Sequence, residues 1–456
     1  MNKFLSVLFL SFLFSIPLYA HCCAEPERSD SDIVRFLEER FHVKFTDNNR
    51  VVIFKTGAEK FTDMFQAIEA AHESVHLEYF NFRNDSVSEK LFRLLVRKAN
   101  EGVKVRALFD GFGNSSNNRP LRTRHLDSLR ARGIEIYEFD PIRFPWFNHV
   151  LHRDHRKIVV IDGQVAYTGG MNVADYYITG KPELGEWRDI HTRVEGDVVA
   201  QLQSVFLNFW NSVTHQHISG PCYYPGEVDV RERFGMLRQD TTATAGHKQI
   251  AVVNRDPHTS PRIIHDTFIQ AIERADRQIL IINPYFTLCR HIKRALKRAA
   301  KRGVDVQVMV SAKSDIPVTP RIVEYNVHKL MRAGVDIYFF EGGFHHSKIM
   351  MVDGQYAFLG SANLNSRSLS FDYECNLLIA DANTTAELQR IFIHDRDNRC
   401  FKLTPERWKS MSTWKRFKGW LFHFLVPFVH KEKRPIPSFY PPCRGMYLQA
   451  ESPSHA

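Results

Sequence analysis

Residues 155–163 read His-Arg-Lys-Ile-Val-Val-Ile-Asp-Gly, and residues 346–354 read His-Ser-Lys-Ile-Met-Met-Val-Asp-Gly. In both stretches a Lys follows the His by two residues, an Asp follows the Lys by five, and an Asn follows the Asp by ten. Chance rarely produces the same spacing twice in one chain. The two stretches therefore predict matched structural units that together build one composite active site.

Each stretch also has the pattern of a β-hairpin. Four apolar residues precede an Asp-Gly pair, at positions 162–163 and 353–354, and a second extended segment follows. Asp-Gly between two extended runs is the strongest short-range signal of a hairpin with a primed turn. Because side chains alternate along a strand, His155 and Lys157 should project from one face, as should His346 and Lys348.

An imidazole and an ammonium group on one face suit a phosphate. The His can attack phosphorus or transfer a proton near neutral pH, and the Lys is a compact charge for the non-bridging oxygens. Asp162 and Asp353 are candidate catalytic residues, but Asp is also common at turns for backbone reasons, so a purely structural role is equally open. A Lys beside each His would repel a cation, so we expect neither a metal nor a cofactor.

The two motifs resemble those of the phospholipase D superfamily, over about residues 50–400. The neighbouring sequence is similar to bacterial cardiolipin synthases, in the segments Thr168-Gly-Gly-Met-Asn172, Trp187-Arg-Asp189, Gly360-Ser-Ala-Asn363 and Arg367-Ser368. The resemblance implies a covalent phosphohistidine, with His155 as the nucleophile and His346 as the general acid and base. The residues alone leave these two roles interchangeable.

Four further residues complete the candidate site. Asn172 and Asn363 are predicted phosphate-binding amides, which would hold the phosphate oxygens together with the Lys residues. Each His also needs a partner that fixes its tautomer. Asp189 and Glu374 occupy corresponding places after the two motifs and are predicted to orient the His rings, with a surface salt bridge as the alternative.

A longer internal repeat surrounds the motifs. Phe65-Gln-Ala-Ile-Glu corresponds to Ile269-Gln-Ala-Ile-Glu, and Leu129-Arg-Ala-Arg-Gly corresponds to Met331-Arg-Ala-Gly. Helices that alternate with apolar strands predict an α/β fold with a central, largely parallel sheet. With the resemblance, the expected fold is two tandem repeated α/β/α sandwich domains that face each other across a pseudo-twofold active-site cleft. The expected segments are a signal peptide at 1–20, an N-terminal segment at 21–47, repeats at 48–219 and 247–400, a linker at 220–246 and a tail at 401–456.

The N-terminus has the pattern of an export signal. Lys3 precedes an apolar run from Phe4 to Leu18, and Leu18-Tyr19-Ala20 precedes a possible cleavage point. The run is short for a spanning helix, so an uncleaved anchor is the alternative. The expected location is outside the cytoplasm, either on the membrane surface or secreted.

Most of the positive charge lies in the tail. The net charge is +10, and residues 401–434 contain nine Lys and Arg but two Glu. In the tail, aromatic residues from Trp408 to Phe428 alternate with basic ones, which is typical of a helix at a lipid interface. Packing of this helix on the protein's own core is the alternative. The basic residues at 290–302 favour a solvated helix face over a nucleic-acid surface, so no nucleic acid is expected as a partner.

Four functions remain open from the sequence. The leading one is transfer of a phosphatidyl group between phospholipids, of the cardiolipin synthase type. A hydrolase that releases phosphatidic acid would share the same intermediate, because water and alcohol compete for one phosphohistidine. A nuclease would use the same catalytic groups with a basic groove. An inactive lipid-binding module is disfavoured because neither motif has lost its His or Lys.

Overall fold

The computed structural model describes residues 33–142, 151–226 and 228–429. The predicted signal peptide, Cys22, Cys23 and the cluster Lys431–Arg434 lie outside the described residues. The helices are α1 (Ile33–Phe41), α2 (Gly57–Glu69), α3 (Ser86–Asn100), α4 (Gly111–Ser115), α5 (Thr123–Arg130), α6 (Tyr176–Thr179), α7 (Val198–Thr214), α8 (Val230–Phe234), α9 (Ile263–Arg274), α10 (Arg290–Lys301), α11 (Thr319–Met331), α12 (Ser366–Ser370), α13 (Ala382–Arg399), α14 (Pro405–Ser410) and α15 (Thr413–Val429).

The strands alternate with these helices along the chain. They are β1 (Phe45–Phe54), β2 (Ser74–Tyr79), β3 (Lys104–Asp110), β4 (Glu135–Phe139), β5 (Lys157–Ile161), β6 (Val165–Gly169), β7 (Glu186–Arg188), β8 (His191–Gly196), β9 (Lys248–Arg255), β10 (Gln278–Ile282), β11 (Asp305–Ser311), β12 (Asp336–Phe340), β13 (Gly343–His345), β14 (Ile349–Val352), β15 (Tyr356–Gly360), β16 (Glu374–Ala380) and β17 (Cys400–Lys402).

One 15-stranded sheet runs through both repeats, in the order β17-β12-β11-β10-β14-β15-β16-β9-β1-β8-β6-β5-β2-β3-β4. The first seven-strand set, from β4 to β1, is repeated from β12 to β9 in the same spatial order. The two sets join where β1 pairs antiparallel with β9. The predicted duplicated α/β fold is therefore confirmed, and its pseudo-twofold axis passes between β1 and β9.

The expectation of a largely parallel sheet was wrong. Within the described residues, four ladders of this sheet are parallel and ten are antiparallel. The parallel pairs are those in which a helix connects the strands, namely β2–β3–β4 and β10–β11–β12. A short connection can join two strands only in antiparallel orientation. The two strands of each motif hairpin are therefore antiparallel to each other, and they also pair antiparallel with the strands on either side.

Apolar layers cover both faces of the sheet. One face of the first repeat packs on α2 and α3, and the same face of the second repeat packs on α9, α10 and α11. The opposite face forms a third layer that contains residues of both repeats, among them Ile158, Ile349, Leu202 of α7 and Leu388 of α13. Because this layer is continuous across the β1–β9 junction, burial of apolar surface holds the repeats together.

The described part of the predicted tail forms α14 and α15. Helix α15 packs closely on α11, since a Cβ atom at Gly419 would lie only 2.8 Å from the carbonyl oxygen of Arg321. Its aromatic residues Trp414, Phe417 and Trp420 nevertheless remain 60, 46 and 42% exposed. Across the described residues, no helix combines the length and the apolar character that a membrane span requires.

Candidate active site

The two motif hairpins form as the sequence predicts. Strand β5 pairs antiparallel with β6, and β14 pairs with β15. The turn residues Asp162 and Gly163 have φ values of 51° and 65°, and Asp353 and Gly354 have φ values of 53° and 71°. Positive φ at both central positions is the conformation of a type I′ turn, which Asp-Gly adopts readily.

The two turn carboxylates bind backbone. Asp162 accepts hydrogen bonds from the backbone N–H groups of residues 72, 73 and 74 at 2.8–2.9 Å. Asp353 accepts from those of residues 276, 277 and 278 at 2.8–2.9 Å. Both lie at the end of the motif strand opposite to the His and Lys, where they fix the start of β2 and of β10. The structure thus does not bring the two Asp residues to the His–Lys groups.

Each motif His contacts a carboxylate of the other repeat. Nδ1 of His155 lies 3.1 Å from both carboxylate oxygens of Glu374. Nδ1 of His346 lies 2.7 Å from Oδ2 of Asp189. An ionised carboxylate can only accept, so each ring must carry its proton on Nδ1 and keep Nε2 as the reactive nitrogen. We call His155, Lys157 and Glu374 the first half-site, and His346, Lys348 and Asp189 the second.

Backbone pairing across the repeats places these partners. Strand β13, which ends one residue before His346, pairs with β7, which ends one residue before Asp189. The backbone N–H of His346 donates to the carbonyl of Arg188 at 2.6 Å. At the first half-site, Asp154 forms a parallel bridge with Tyr373, and the N–H of His155 donates to the Tyr373 carbonyl at 3.0 Å. Neither half-site is complete within one repeat.

The two Lys side chains meet in the same buried space. Lys157 and Lys348 each donate to the backbone carbonyl of the motif His two residues before them. Burial lowers the pKa of Lys157 to about 8. Burial, with a smaller contribution from Lys157, lowers the pKa of Lys348 to about 7. Because the charge of Lys157 lowers the pKa of Lys348 across the two repeats, the half-sites form one electrostatic unit, which an anion would stabilise.

Burial also sets the charge of the His rings. It lowers the pKa of His155 to about 4, and the Lys157 ammonium adds to this effect. Burial and the Lys348 ammonium likewise lower the pKa of His346 to about 4. Burial would raise the pKa of both partner carboxyls, but the neighbouring His and Lys groups together outweigh it, so the pKa values of Glu374 and Asp189 lie below their usual range. Both rings are therefore neutral near pH 7, and each has an ionised partner.

Asn172 and Asn363 are both 4% exposed. The Oδ1 atom of each has no hydrogen-bond partner among the residues that the structure describes. Each unpartnered oxygen can accept a hydrogen bond from water or a ligand donor, whereas the Nδ2 group of the same amide is the donor suited to a phosphate oxygen. In the same described ranges, no group of three or more His, Cys, Asp and Glu is arranged to hold a metal ion.

The half-sites differ beside their carboxylates. Ser361 donates a short hydrogen bond to Oε2 of Glu374 in the first half-site. The corresponding residue of the second is Gly170, where a Cβ atom would lie 2.2 Å from Oδ1 of Asp189. Glycine is thus required for the close approach of Asp189, whereas Ser361 adds a donor to Glu374.

Aromatic rings that the sequence analysis did not select flank both His residues. The Phe80 ring lies 5.2 Å from that of His155. The rings of Trp187 and Tyr285 lie 5.5 and 5.9 Å from that of His346. Trp187 belongs to the segment that contains Asp189, but Phe80 and Tyr285 sit in loops after β2 and β10 and have no distinguishing local pattern.

The comparisons with known proteins agree with this geometry. Residues 64–210 and 268–396 match the family model described as cardiolipin synthase, PLD-like domain. The chain is 32% identical to the cardiolipin synthase of Listeria monocytogenes serotype 4b (strain CLIP80459), over 84% of this chain and 76% of that protein. It is also 32% identical to a probable cardiolipin synthase of Bacillus subtilis (strain 168), over 80% of this chain and 69% of that protein.

A solved structure with a similar fold is the phosphatidylserine synthase of Haemophilus influenzae Rd KW20. The TM-score is 0.64 with 14% sequence identity, over 87% of this chain and 97% of that one. This likeness supports the two-repeat fold alone. The family match and the sequence identity confirm the resemblance seen in the motifs: the chain belongs to the cardiolipin synthase family of phospholipase D-like proteins.

Proposed function

We propose that the protein transfers a phosphatidyl group from one phospholipid to the alcohol of a second, in the manner of a cardiolipin synthase. The observation that carries this proposal is the pairing of each motif His with a carboxylate of the opposite repeat around two buried Lys residues. Two imidazoles held by carboxylates, one neutral as the nucleophile and one that carries and returns a proton, can perform two successive displacements at one phosphorus atom. The cardiolipin synthases to which the chain is similar supply the substrate class.

In the first displacement, Nε2 of His155 attacks phosphorus and forms a P–N bond. The bond from phosphorus to the leaving glycerol oxygen breaks, and that oxygen takes a proton from Nε2 of His346, which enters this step as the imidazolium because the bound anionic phosphate raises its pKa. In the second, His346 takes the proton of the incoming hydroxyl, whose oxygen attacks phosphorus and breaks the P–N bond. His155 is assigned as the nucleophile because it is the more accessible ring, with 15% of its side chain exposed against 7% for His346.

The other site residues stabilise charge or geometry. Lys157 and Lys348, with Asn172 and Asn363, would hold the non-bridging phosphate oxygens as negative charge moves during each displacement. Binding of an anionic phosphate would raise the pKa of both Lys residues and keep them charged. We assign Asp162 and Asp353 a structural role, because their carboxylates are occupied by backbone N–H groups.

Product analysis tests the proposal. Purified protein would be incubated with phosphatidylglycerol vesicles, with and without added glycerol, and the lipids would be separated. Transfer predicts cardiolipin, with less of it when free glycerol reverses the reaction. Phosphatidic acid as the main product would instead identify a hydrolase, in which water is the acceptor. Turnover should persist in EDTA, and a loss that added metal restores would contradict the proposed site.

We further propose that α15 docks on a phospholipid membrane surface. Trp414, Phe417 and Trp420 form a row of exposed aromatic rings, with centroids of successive rings 5.6 and 5.5 Å apart. The basic residues Lys415 and Lys418 lie on the same helix. Aromatic rings beside basic side chains suit an interface with anionic lipid. Export and cleavage of the N-terminal segment remain part of this proposal and would be read from the mature N-terminus.

A further inference from the structure

We propose that Asp395 is a positioning residue of the second half-site, which holds the Asp189–His346 pair in register across the two repeats. This inference rests on the proposed function. Asp395 lies on α13, far along the chain from both motifs, and its side chain is fully buried. Its role follows from the two residues that lie at its Oδ2 atom, while Oδ1 lies 3.3 Å from Nδ1 of the neighbouring His394.

One oxygen of this carboxylate bridges both strands of the β7–β13 ladder. Nε of Arg188 lies 2.7 Å from Oδ2 of Asp395, and Nε2 of His345 lies 3.3 Å from the same oxygen. Arg188 and His345 are register partners in the ladder. Asp395 therefore joins the last residue of one strand to the last residue of the other.

The next residue on each strand belongs to the active site. Asp189 follows Arg188, and His346 follows His345. Side chains of successive residues in a strand point to opposite faces. The carboxylate of Asp395 thus binds the ladder on one face, and the hydrogen bond between Asp189 and His346 forms one residue further on the other.

The β7–β13 ladder needs an additional contact between its strands because it is short. Each of its strands has three residues, and parallel pairing is the weaker kind of strand pairing. Ser311 fixes the backbone of His345 through hydrogen bonds of 2.7 and 3.1 Å, but that contact holds β13 alone. Asp395 joins β13 to β7 through polar side chains, in addition to the contact between the Trp187 and Phe344 rings at 4.8 Å. A buried carboxylate with these partners is costly to disturb, since loss of one charge leaves the other unpaired.

The test compares Asp395→Asn with Asp397→Asn in the full chain. Both variants make the same chemical change on α13, but the Asp397 side chain is 53% exposed and pairs with Arg396. We expect Asp395→Asn to lower lipid turnover by about 10- to 100-fold with little change in KM, as loss of an orienting partner does. Asp397→Asn should match the wild type. Equal turnover in the two variants would overturn the proposal.

A soluble phosphodiester with a p-nitrophenol leaving group separates positioning from general damage. Release of p-nitrophenolate needs no proton from His346, whereas removal of the phosphoryl group from His155 needs His346 as a base. Asp395→Asn should therefore keep the initial burst of p-nitrophenolate and lose the steady-state rate. A burst and a steady state reduced by the same factor would mean a smaller folded fraction, which contradicts positioning.

Amide hydrogen exchange gives a reading that does not depend on activity. In Asp395→Asn, peptides that cover residues 186–190 and 343–348 should exchange faster, and those that cover 153–156 and 372–376 should not change. Faster exchange throughout, or no change, would refute the role of Asp395 even if lipid turnover is confirmed. If Asp395→Asn does not fold, Arg188→Gln removes the same contact from the partly exposed side and should give the same local pattern. A wild-type protein without turnover would refute the proposed function, while the hydrogen-exchange data would still test the positioning role of Asp395.

Discussion

The two half-sites present the same groups but are supported by different contacts. Behind the second half-site, Asp395 holds the ladder through an ion pair with Arg188 and through its proximity to the His345 ring, whose pKa is lowered by burial. Behind the first, the Tyr373 ring packs on aromatic rings, 4.9 Å from that of Phe209 and 5.7 Å from that of Phe139. The guanidinium of Arg156, which pairs with the buried Glu78, lies over the same Tyr373 ring. Catalytic geometry is thus preserved in both repeats by different packing, which shows that the chemistry constrains the reacting groups more tightly than their surroundings.

The carboxylates that bind the two motif His residues also make different contacts. Glu374 contacts His155 through both oxygens at 3.1 Å and accepts from Ser361, whereas Asp189 contacts His346 through one oxygen at 2.7 Å. The shorter contact and the tighter packing suit a ring that must pass a proton in both displacements. The more exposed ring of His155 suits the role of the nucleophile, because the phosphorus atom must approach it.

The largest expected effect is the loss of either His. His155→Ala and His346→Ala should each lower lipid turnover by about 1,000-fold or more, because each ring performs a step that the other cannot. With a p-nitrophenyl phosphodiester, His346→Ala should still release about one equivalent of p-nitrophenolate per protein, and His155→Ala should release none. The reverse result would exchange the two roles. Unchanged thermal unfolding serves as the control for the fold.

Substitutions beside the carboxylates should have intermediate and unequal effects. Gly170→Ala places a Cβ atom 2.2 Å from Oδ1 of Asp189, so the carboxylate must move away from His346. We expect kcat to fall by about 10- to 100-fold. Ser361→Ala removes the hydrogen bond to Glu374, worth about 1 kcal/mol, together with the one that Ser361 accepts from the Cys375 N–H, and should lower kcat by about fivefold. Equal effects, measured on phosphatidylglycerol, would show that the half-sites are equivalent at this position.

The pH dependence should show which groups must be charged. His155 reacts as the neutral ring, so kcat/KM should fall as pH drops through its pKa of about 4. It should also fall above pH 7 to 8, as Lys348 and then Lys157 lose their protons. The profile would be measured on a p-nitrophenyl phosphodiester, whose leaving group needs no proton from His346, and the absence of a decline at alkaline pH would mean that the Lys charges are not needed.

The same His pKa values affect stability at low pH. Because the folded pKa of about 4 lies below the ordinary value of 6.5, the unfolded chain binds protons first as pH falls. The stability associated with the two neutral rings is complete above pH 6.5 and is lost between 6.5 and 4. The free energy of chemical unfolding, measured between pH 6.5 and 4, should show this decline. Recovery of activity after return to neutral pH distinguishes the loss of stability from the loss of catalytic rate at low pH.

The smallest effect on chemistry is expected from the tail. Helix α15 packs on α11, away from both half-sites, so removal of residues after Lys409 should leave turnover of a soluble phosphodiester unchanged. Binding to anionic vesicles should weaken, by about 1 kcal/mol for each basic residue lost near the surface. Vesicle sedimentation at low and high salt measures both contributions. Loss of the folded state on truncation would assign α15 to the core instead.

The sequence by itself determined the duplication, the hairpins and the chemistry. Hydrophobic periodicity, the Asp-Gly turns and the repeated His-x-Lys spacing are local properties, so they could be read without coordinates. The solvated helix face predicted for the basic residues at 290–302 also formed, since α10 buries Ile292 and Leu296 on its other side. The strand orientation was wrong because the sequence pattern of a buried strand is the same in parallel and antiparallel neighbours.

Only the tertiary structure decided which groups meet. Spacing identified Asp189 and Glu374, but each binds the His of the other repeat, because the cross-repeat ladders and not the chain order set their positions. The sequence indicates Asp395 only weakly: it is a charged residue that continues the buried stripe of Leu388, Ile391 and Phe392 at helical spacing. The sequence of α13 could not show the partners of Asp395. The packing of the two repeats brings them to α13, and contacts between distant segments depend on the whole fold.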